Sequence, residues 1–281
     1  MTLSSNSIFR LPASEWNPTL QALNDQGVTL DHLSMLRADN GDNEYARRVG
    51  RAFVNGAFPS STETRIARIA LGNLFFDMAH WVRFFATRFE ESEVEKALQF
   101  PWNEDVLMGP DPWEKSKLVR DTHFAFLGVE KIGGQPLTVA QLIKMHPDES
   151  KLRYFYPTTW HDCQPHVHTA TLSPHWYLLR MEIVPGSTGK LPDEQVAMLP
   201  PEYELPMTID ETSKDMLVFR KTGVRLNSSR WARCAETTIK TEKYSTGDLS
   251  CVGNFDEFGL LVSSWNGRRD GNVGCGASRK I

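Results

Sequence analysis

The sequence predicts an α+β fold: a mostly helical N-terminal region, residues 1–111, followed by a domain of short antiparallel strands and flanking helices, residues 112–281. Apolar residues of the first third recur at helical spacing, whereas the last third alternates apolar residues with turn residues. The Pro/Gly/Asp-rich segment Gly109–Pro112 between them indicates a boundary. Antiparallel pairing is expected because short hairpins need no crossover helix.

Four helical segments are predicted in the N-terminal region. Asn17 and Pro18 supply a cap and a first-turn proline for the first helix. In the second, Thr29 precedes Leu30, Leu33 and Leu36 at helical spacing. The third covers Asn43–Val54, and the fourth, Thr62–Phe89, carries an apolar stripe that Gly72 weakens.

The second half is predicted to contain one long helix among short strands. The helix spans Ile209–Arg220, and the strongest strand candidate is His175–Val184, which Pro185-Gly186 stops. The other predicted strands are His123–Gly128, Arg230–Cys234, Leu249–Phe255, Leu260–Trp265 and Val273–Ser278.

The charge balance argues against a general nucleic-acid binder. The chain has 31 Lys+Arg and 35 Asp+Glu, a net charge of −4, whereas phosphate binding needs a surplus of basic residues. The longest apolar run, Ile69–Phe76, is far shorter than the roughly 20 residues that span a bilayer. With no signal peptide or transmembrane segment, we expect a cytoplasmic protein unless it is exported by a non-classical route.

One short loop collects soft metal ligands: His161, Cys163, His166 and His168. Structural zinc sites usually join two separated chain segments, so a polar surface loop is favoured here. The sequence contains no GxSxG, no GxxxxGK[ST] and no GxGxxG after a strand. We therefore predict no cofactor, no metal and no catalytic residue.

The C-terminal segment combines a few anchors with many small polar residues. Three glycines, Gly253, Gly259 and Gly274, suit turns or close backbone approach. The predicted buried anchors are Phe255, Leu260, Val262, Trp265 and Val273.

This segment reads GxFxxxGLxVxxW from Gly253 to Trp265. A polar loop with Asn266 and Arg269 follows, and then a terminal segment from Gly274 to Lys280. It resembles the variable region of diversity-generating retroelement target proteins, which have a C-type lectin fold. Upstream, the runs His175-Trp176-Tyr177, Met198–Glu204 and Arg230-Trp231 resemble the archaeal and candidate-phylum branch of that group.

The resemblance implies that a reverse transcriptase replaces template adenines, so that Asn codons ending in C or T become codons that cannot encode Lys, Glu, Gln, Met or Trp. In the variable region, about residues 249–279, only Glu257 and Trp265 belong to that excluded set. The positions predicted to be displayed and variable are Ser250, Asn254, Phe258, Leu261, Ser263, Ser264, Asn266, Gly267, Arg268, Asp270, Gly271, Asn272 and Cys275.

The resemblance implies a non-enzymatic protein whose hypervariable face binds a changing protein or cell-surface ligand. Calcium-dependent sugar binding is not expected. The lectins that bind sugar through calcium carry a Trp-Asn-Asp triplet and a proline-containing triplet, whereas this chain has Trp265-Asn266-Gly267 and no proline-containing partner triplet. The alternative is a metal- or cysteine-dependent enzyme related to formylglycine-generating enzymes, which would use the loop from His161 to His168 or the thiols of Cys251 and Cys275.

Overall fold

The chain consists of two compact units, Met1–Ala57 and Phe58–Ile281. This division comes from a computed structural model that describes residues 13–25, 28–37, 46, 49, 60–147, 153–157, 160–240 and 247–281.

In the first unit, described helices span Ala13–Asp25 and Leu30–Arg37. The former begins before the predicted cap, so Pro18 lies inside the helix. The predicted helix Asn43–Val54 falls almost entirely outside the described residues.

The predicted boundary at residues 111/112 is wrong, since it lies inside the second unit. Phe75 and Trp102, which precede it, share one apolar core with Leu127 and Trp176, which follow it. Asp111 is fully buried and accepts hydrogen bonds from Thr122 Oγ1 and Arg180 Nε. The Pro/Gly signal therefore marks a tight buried turn and not a linker.

Helices of the second unit surround two sheets. The predicted helix Thr62–Phe89 is broken, because Gly72 takes φ 54° and Asp77 then caps a new helix by accepting from His80 N. None of the described helices is long and apolar enough to cross a membrane. The helices are Thr62–Leu71, Met78–Phe85, Glu91–Ala97, Glu104–Met108, Val119–Thr122, Val139–Met145, Pro165–Thr169, Pro192–Val196 and Thr208–Thr222, with 3₁₀ turns at Gly72–Leu74 and Trp160–Cys163.

The strands of the first sheet are β1 Phe75–Phe76, β2 His123–Leu127, β5 Trp176–Arg180, β6 Tyr203–Glu204 and β11 Ser278–Arg279. Their order is β1-β2-β5-β11-β6, and only the β1–β2 pair is parallel. Both faces of β2 and β5 are buried, which explains why their sequences read as nearly continuous apolar runs.

The second sheet has four strands in the order β10-β7-β8-β9, parallel only between β10 and β7. Its strands are β7 Trp231–Thr237, β8 Leu249–Asp256, β9 Gly259–Trp265 and β10 Val273–Cys275, and a separate hairpin joins β3 Lys131–Ile132 to β4 Gln135–Pro136. The predicted strand Val273–Ser278 is divided between the two sheets. The α+β class is confirmed.

The helix Thr208–Thr222, here the central helix, contacts strands of both sheets, and every residue from Thr208 to Phe219 is buried. Its Met216, Leu217 and Phe219 join the main apolar core. Burial on all sides also encloses charged residues, which must find partners in the interior.

Lys214 is the buried cation of the central helix. Its Nζ donates to Glu211 Oε1 and to the backbone oxygens of Arg180 and Met181 at 3.1 and 2.8 Å, and it lies 3.2 Å from Asp215 Oδ1. Burial opposes its charge, but the Asp215 and Glu211 carboxylates outweigh burial and raise the pKa of Lys214. The ammonium group therefore stays protonated.

Asp210 caps the start of the same helix: its Oδ2 accepts from Met207 N at 2.9 Å. Burial, together with the charges of Glu236 and Glu204, raises the pKa of the Asp210 carboxyl to about 7. Because the folded state then holds this proton more tightly than the unfolded chain, the contribution of Asp210 to stability falls as the pH rises from about 4 to about 7.

We expect Asp210→Asn to keep the cap and remove this cost. The free energy of unfolding of the variant, minus that of the wild type, should grow between pH 4 and pH 7.5 by up to about 4 kcal/mol. Urea unfolding at a series of pH values measures it, with Asp193→Asn, at an exposed helical position, as the control. A difference that does not change with pH would contradict the buried, uncompensated charge.

Candidate functional site

The four-stranded sheet has an inner and an outer face. Ala232, Val252 and Val262 are buried and paired across β7, β8 and β9, and Val252 and Val262 share the main apolar core with Met216 and Leu217 of the central helix. Since directly paired residues point to the same side and neighbours along a strand alternate, the residues one position away form the opposite side. We call that side the outer face.

Three rows of paired residues make up the outer face. The first is Val273, Trp231, Gly253 and Leu261; the second is Cys275, Arg233, Cys251 and Ser263; the third pairs Leu249 with Trp265. Leu261, Ser263, Leu249 and both tryptophans are half-buried, whereas Cys251 and Arg233 are buried.

Two tryptophans meet on this face from different strands. The ring centroids of Trp231 and Trp265 lie 5.9 Å apart at an interplanar angle of 45°. Cys251 lies between them in register and has no exposed surface. The two partly exposed indoles thus form an aromatic platform with a rigid base.

Arg233 fixes the segment that leaves β9. Its guanidinium donates to the backbone oxygens of Trp265, Asn266 and Arg268 at 3.3–3.4 Å. The side chain is only 1% exposed. Arg233 therefore holds residues 266–272, here the outer loop, through backbone oxygens, a contact that does not require particular loop side chains.

The outer loop also holds its own turns. Asn266 Oδ1 accepts from Arg268 N at 3.2 Å, and Asp270 Oδ1 accepts from Asn272 N at 2.7 Å. Arg269 pairs with Glu194 Oε1 at 2.7 Å. Asn266 and Asp270, both predicted variable positions, thus have structural roles.

Most of the predicted variable positions that reach solvent lie on the outer face or the outer loop. Leu261 and Ser263 are half-buried on the face, and Asp270 is half-buried in the loop. The exposed loop members are Asn266, Gly267, Arg268, Gly271 and Asn272.

Two predicted positions lie at the opposite end of the hairpin. Phe258 is 49% exposed in the turn between β8 and β9, and Asn254, at φ 47°, is where the β8–β9 pairing shifts. A seven-residue strand such as β9 separates the turn from the outer loop by roughly 20 Å. These two residues do not join the same surface.

Two predicted positions are not displayed, because Ser250 and Cys275 have no exposed surface. Their prediction as displayed residues is wrong: Ser250 lies on the inner side of the sheet, and Cys275 is covered on the outer side, in a buried cluster with Val184 and Tyr203. Ser264 is half-buried, pairs with Ser250 on the inner side and has a buried Oγ.

The anchor predictions are confirmed for Phe255, Leu260, Val262 and Val273, each at most 2% exposed. Trp265 differs: it is half-buried and part of the surface.

Close backbone approach explains all three predicted glycines. A Cβ at Gly253 would overlap the Arg230 backbone, one at Gly259 the Phe155 backbone, and one at Gly274 Ser187 Oγ. All three glycines are therefore needed for packing, as predicted.

Sequence reasoning did not include Trp231 and Arg233 among the site residues. The alternation of Trp231-Ala232-Arg233-Cys234 was the available signal, since it places the two large polar-tipped side chains on one side and the small residues on the other.

The loop from His161 to His168 does not assemble a metal site. The described residues contain no group of three or more His, Cys, Asp or Glu that could hold a metal ion. His168 Nε2 lies 2.8 Å from the Asp162 backbone oxygen, and burial lowers the pKa of His161 and of His166.

The thiols of the alternative enzyme are buried and separated. Cys251 and Cys275 lie on β8 and β10 with Arg233 of β7 between them in register, which sets them roughly 10 Å apart, beyond the span of a disulfide. Burial raises the pKa of Cys251 to about 12 and that of Cys275 to about 11, so neither forms a nucleophilic thiolate at neutral pH.

Comparison of the chain with protein-family models, with curated proteins and with solved structures finds no match.

We expect Arg233→Lys to loosen the outer loop, because one ammonium cannot reach all three backbone oxygens. Hydrogen exchange at the amides of Arg268 and Asn272 should accelerate about tenfold, corresponding to a loss of about 1.4 kcal/mol in local stability. Arg230→Lys, at the exposed position just before β7, is the matched control. Unchanged exchange in the Arg233 variant would show that the loop holds its shape without it.

Exposed loop residues should carry little of the stability. Arg268→Ala and Asn272→Ala are expected to change the free energy of unfolding by about 0.5 kcal/mol or less, whereas Phe255→Ala should cost about 3–5 kcal/mol. Denaturant unfolding measures all three. A large loss of stability at either loop position would contradict a surface whose side chains can be replaced without unfolding the protein.

Proposed function

We propose that the protein is a non-enzymatic ligand-binding protein of the diversity-generating retroelement type, with a C-type-lectin-like domain whose outer face and outer loop bind a variable macromolecular partner. The observation that carries the proposal is that the residues which reach solvent are not the residues which hold the backbone in place. Leu261, Ser263, Arg268 and Asn272 reach solvent, while Arg233 and buried anchors hold the chain beneath them.

The composition of the face suits a protein or cell-surface partner. Trp231 and Trp265 offer apolar area whose ordering costs little entropy, and the serine, glycine and asparagine positions around them offer adaptable hydrogen bonds. Antibody paratopes combine the same residue types. A shallow aromatic platform fits an extended partner surface better than a small substrate.

The structure narrows the proposed variable set. Asn254 and Phe258 are separate from the patch, Ser250 and Cys275 are buried, and Ser264 lies on the inner side of the sheet. The proposed patch keeps Leu261, Ser263 and the outer loop, within which Asn266 and Asp270 tolerate change least because they close its turns.

The enzyme alternative receives less support. A cysteine-dependent oxidase needs two thiols within reach of each other and of solvent, and Cys251 and Cys275 meet neither condition. Exposed Cys163 lies outside any group of described residues that could bind a metal ion.

The decisive test is the DNA beside the gene. We expect a near-identical repeat of the segment that encodes Ser250 to Lys280, with mismatches confined to adenines of the repeat and concentrated at the codons of Leu261, Ser263, Arg268, Gly271 and Asn272. These codons should end in C or T. The codons of Leu260, Val262 and Val273 are internal controls and should be identical in both copies, since their side chains are buried.

Mismatches spread evenly over all bases, or concentrated at the control codons, would contradict diversification. Absence of any repeat in the complete genome would remove the retroelement from the proposal.

A further inference from the structure

A groove of about 590 Å³ opens on the five-stranded sheet, away from the outer face. Its walls come from the loop before β5, from the start of the central helix and from β11. We call it the Asp210 groove. Its volume lies within the usual range of small-ligand sites, about 300–1,000 Å³.

Asp210 lines the groove although it is only 7% exposed. One carboxylate oxygen, Oδ2, caps Met207 N. No other described residue donates a hydrogen bond to this carboxylate, and no described cation pairs with it. A buried carboxylate with half of its acceptor capacity unused is costly unless something else satisfies it.

The surroundings of Asp210 leave it without compensation. Glu204 lines the same groove and Glu236 lies nearby, and both charges raise the pKa of Asp210. His175, another lining residue, has its pKa lowered by burial and therefore supplies no positive charge at neutral pH. This part of the groove thus attracts a cation.

The groove also carries positive charge. Arg279 of β11 and the adjacent Lys280 both line it. Arg279 pairs with Tyr203, one position along from the Ser278–Glu204 pair, so its guanidinium lies on the opposite side of the sheet from Glu204, where it donates to Tyr203 Oη at 3.3 Å. Lys280, two positions from Ser278, shares the side of Glu204; its Nζ donates to the Pro201 oxygen at 2.9 Å and forms no ion pair with a described acid. A basic side chain on this side disfavours a polycation and favours a ligand with an anionic group of its own.

We infer that the Asp210 groove binds a small zwitterion, such as an amino acid or short peptide, with its ammonium group on Asp210 and Glu204 and its carboxylate toward Lys280. A metal ion is a poorer occupant, because the acidic and imidazole groups of the groove do not form a set of three ligands. The inference does not depend on the proposed function of the outer face.

Isothermal titration calorimetry with 6-aminohexanoate tests the inference on the full chain at pH 8 and low salt. We expect saturable binding to the wild type, at least tenfold weaker binding of hexanoate and of n-butylamine, and no tighter binding of spermidine. Failure of 6-aminohexanoate to bind at millimolar concentration, or preference for hexanoate or spermidine, overturns the inference.

Variants locate the site. Asp210→Asn, Glu204→Gln and Lys280→Gln should each weaken binding of 6-aminohexanoate at least tenfold, whereas Asp193→Asn, outside the groove, should bind as the wild type does. Asp210→Asn keeps the helix cap, and Glu204 and Lys280 are exposed, so a folding defect is not expected. Unchanged affinity in the Asp210 and Glu204 variants would place the binding elsewhere and overturn the inference.

Discussion

The buried ammonium group of Lys214 is the interaction on which the architecture depends. It joins Glu211 and Asp215 of the central helix to the backbone oxygens of Arg180 and Met181, where β5 ends. An ion inside a low-dielectric core is tolerated only while its partners hold it, so the helix cannot slide along the first sheet without leaving the Lys214 ammonium group unpaired. The second sheet packs against the same helix, so the position of its inner face is fixed by that helix as well.

Because the inner face is fixed, the side chains of the outer face and outer loop that reach solvent do not have to support the fold. Ala232, Val252 and Val262 secure the strands from below, and Arg233 holds the outer loop through backbone oxygens that every residue type possesses. Substitution of a loop side chain therefore removes no contact that shapes the loop, except at Asn266, at Asp270 and at Arg269, which binds Glu194 and the Gly189 backbone oxygen. Under the proposed function, this is the physical condition that lets a sequence change repeatedly while its fold persists.

The sequence predicted the strands of the second sheet well, because alternation and turn residues are local signals; Leu249–Phe255 and Leu260–Trp265 match β8 and β9 to within a residue. It did not predict which strand face would be buried. Alternation shows that Ser250 and Val252 share a side, but only the position of the central helix makes that side the interior. The boundary at residues 111/112 was wrong for a related reason, since a Pro/Gly-rich turn around Asp111 reads the same in sequence whether it is buried or links two domains.

The outer face and the Asp210 groove differ in whether the side chains proposed to bind a ligand also support the fold. On the outer face the backbone is held by Arg233 and by buried residues, so shape persists while side chains vary. In the Asp210 groove the side chains are themselves the recognition elements, and one of them, Asp210, also caps the central helix. A change of charge there alters both recognition and the helix on which both sheets rest. Diversification is therefore compatible with the outer face and incompatible with the groove, whose proposed ligand is one chemical class.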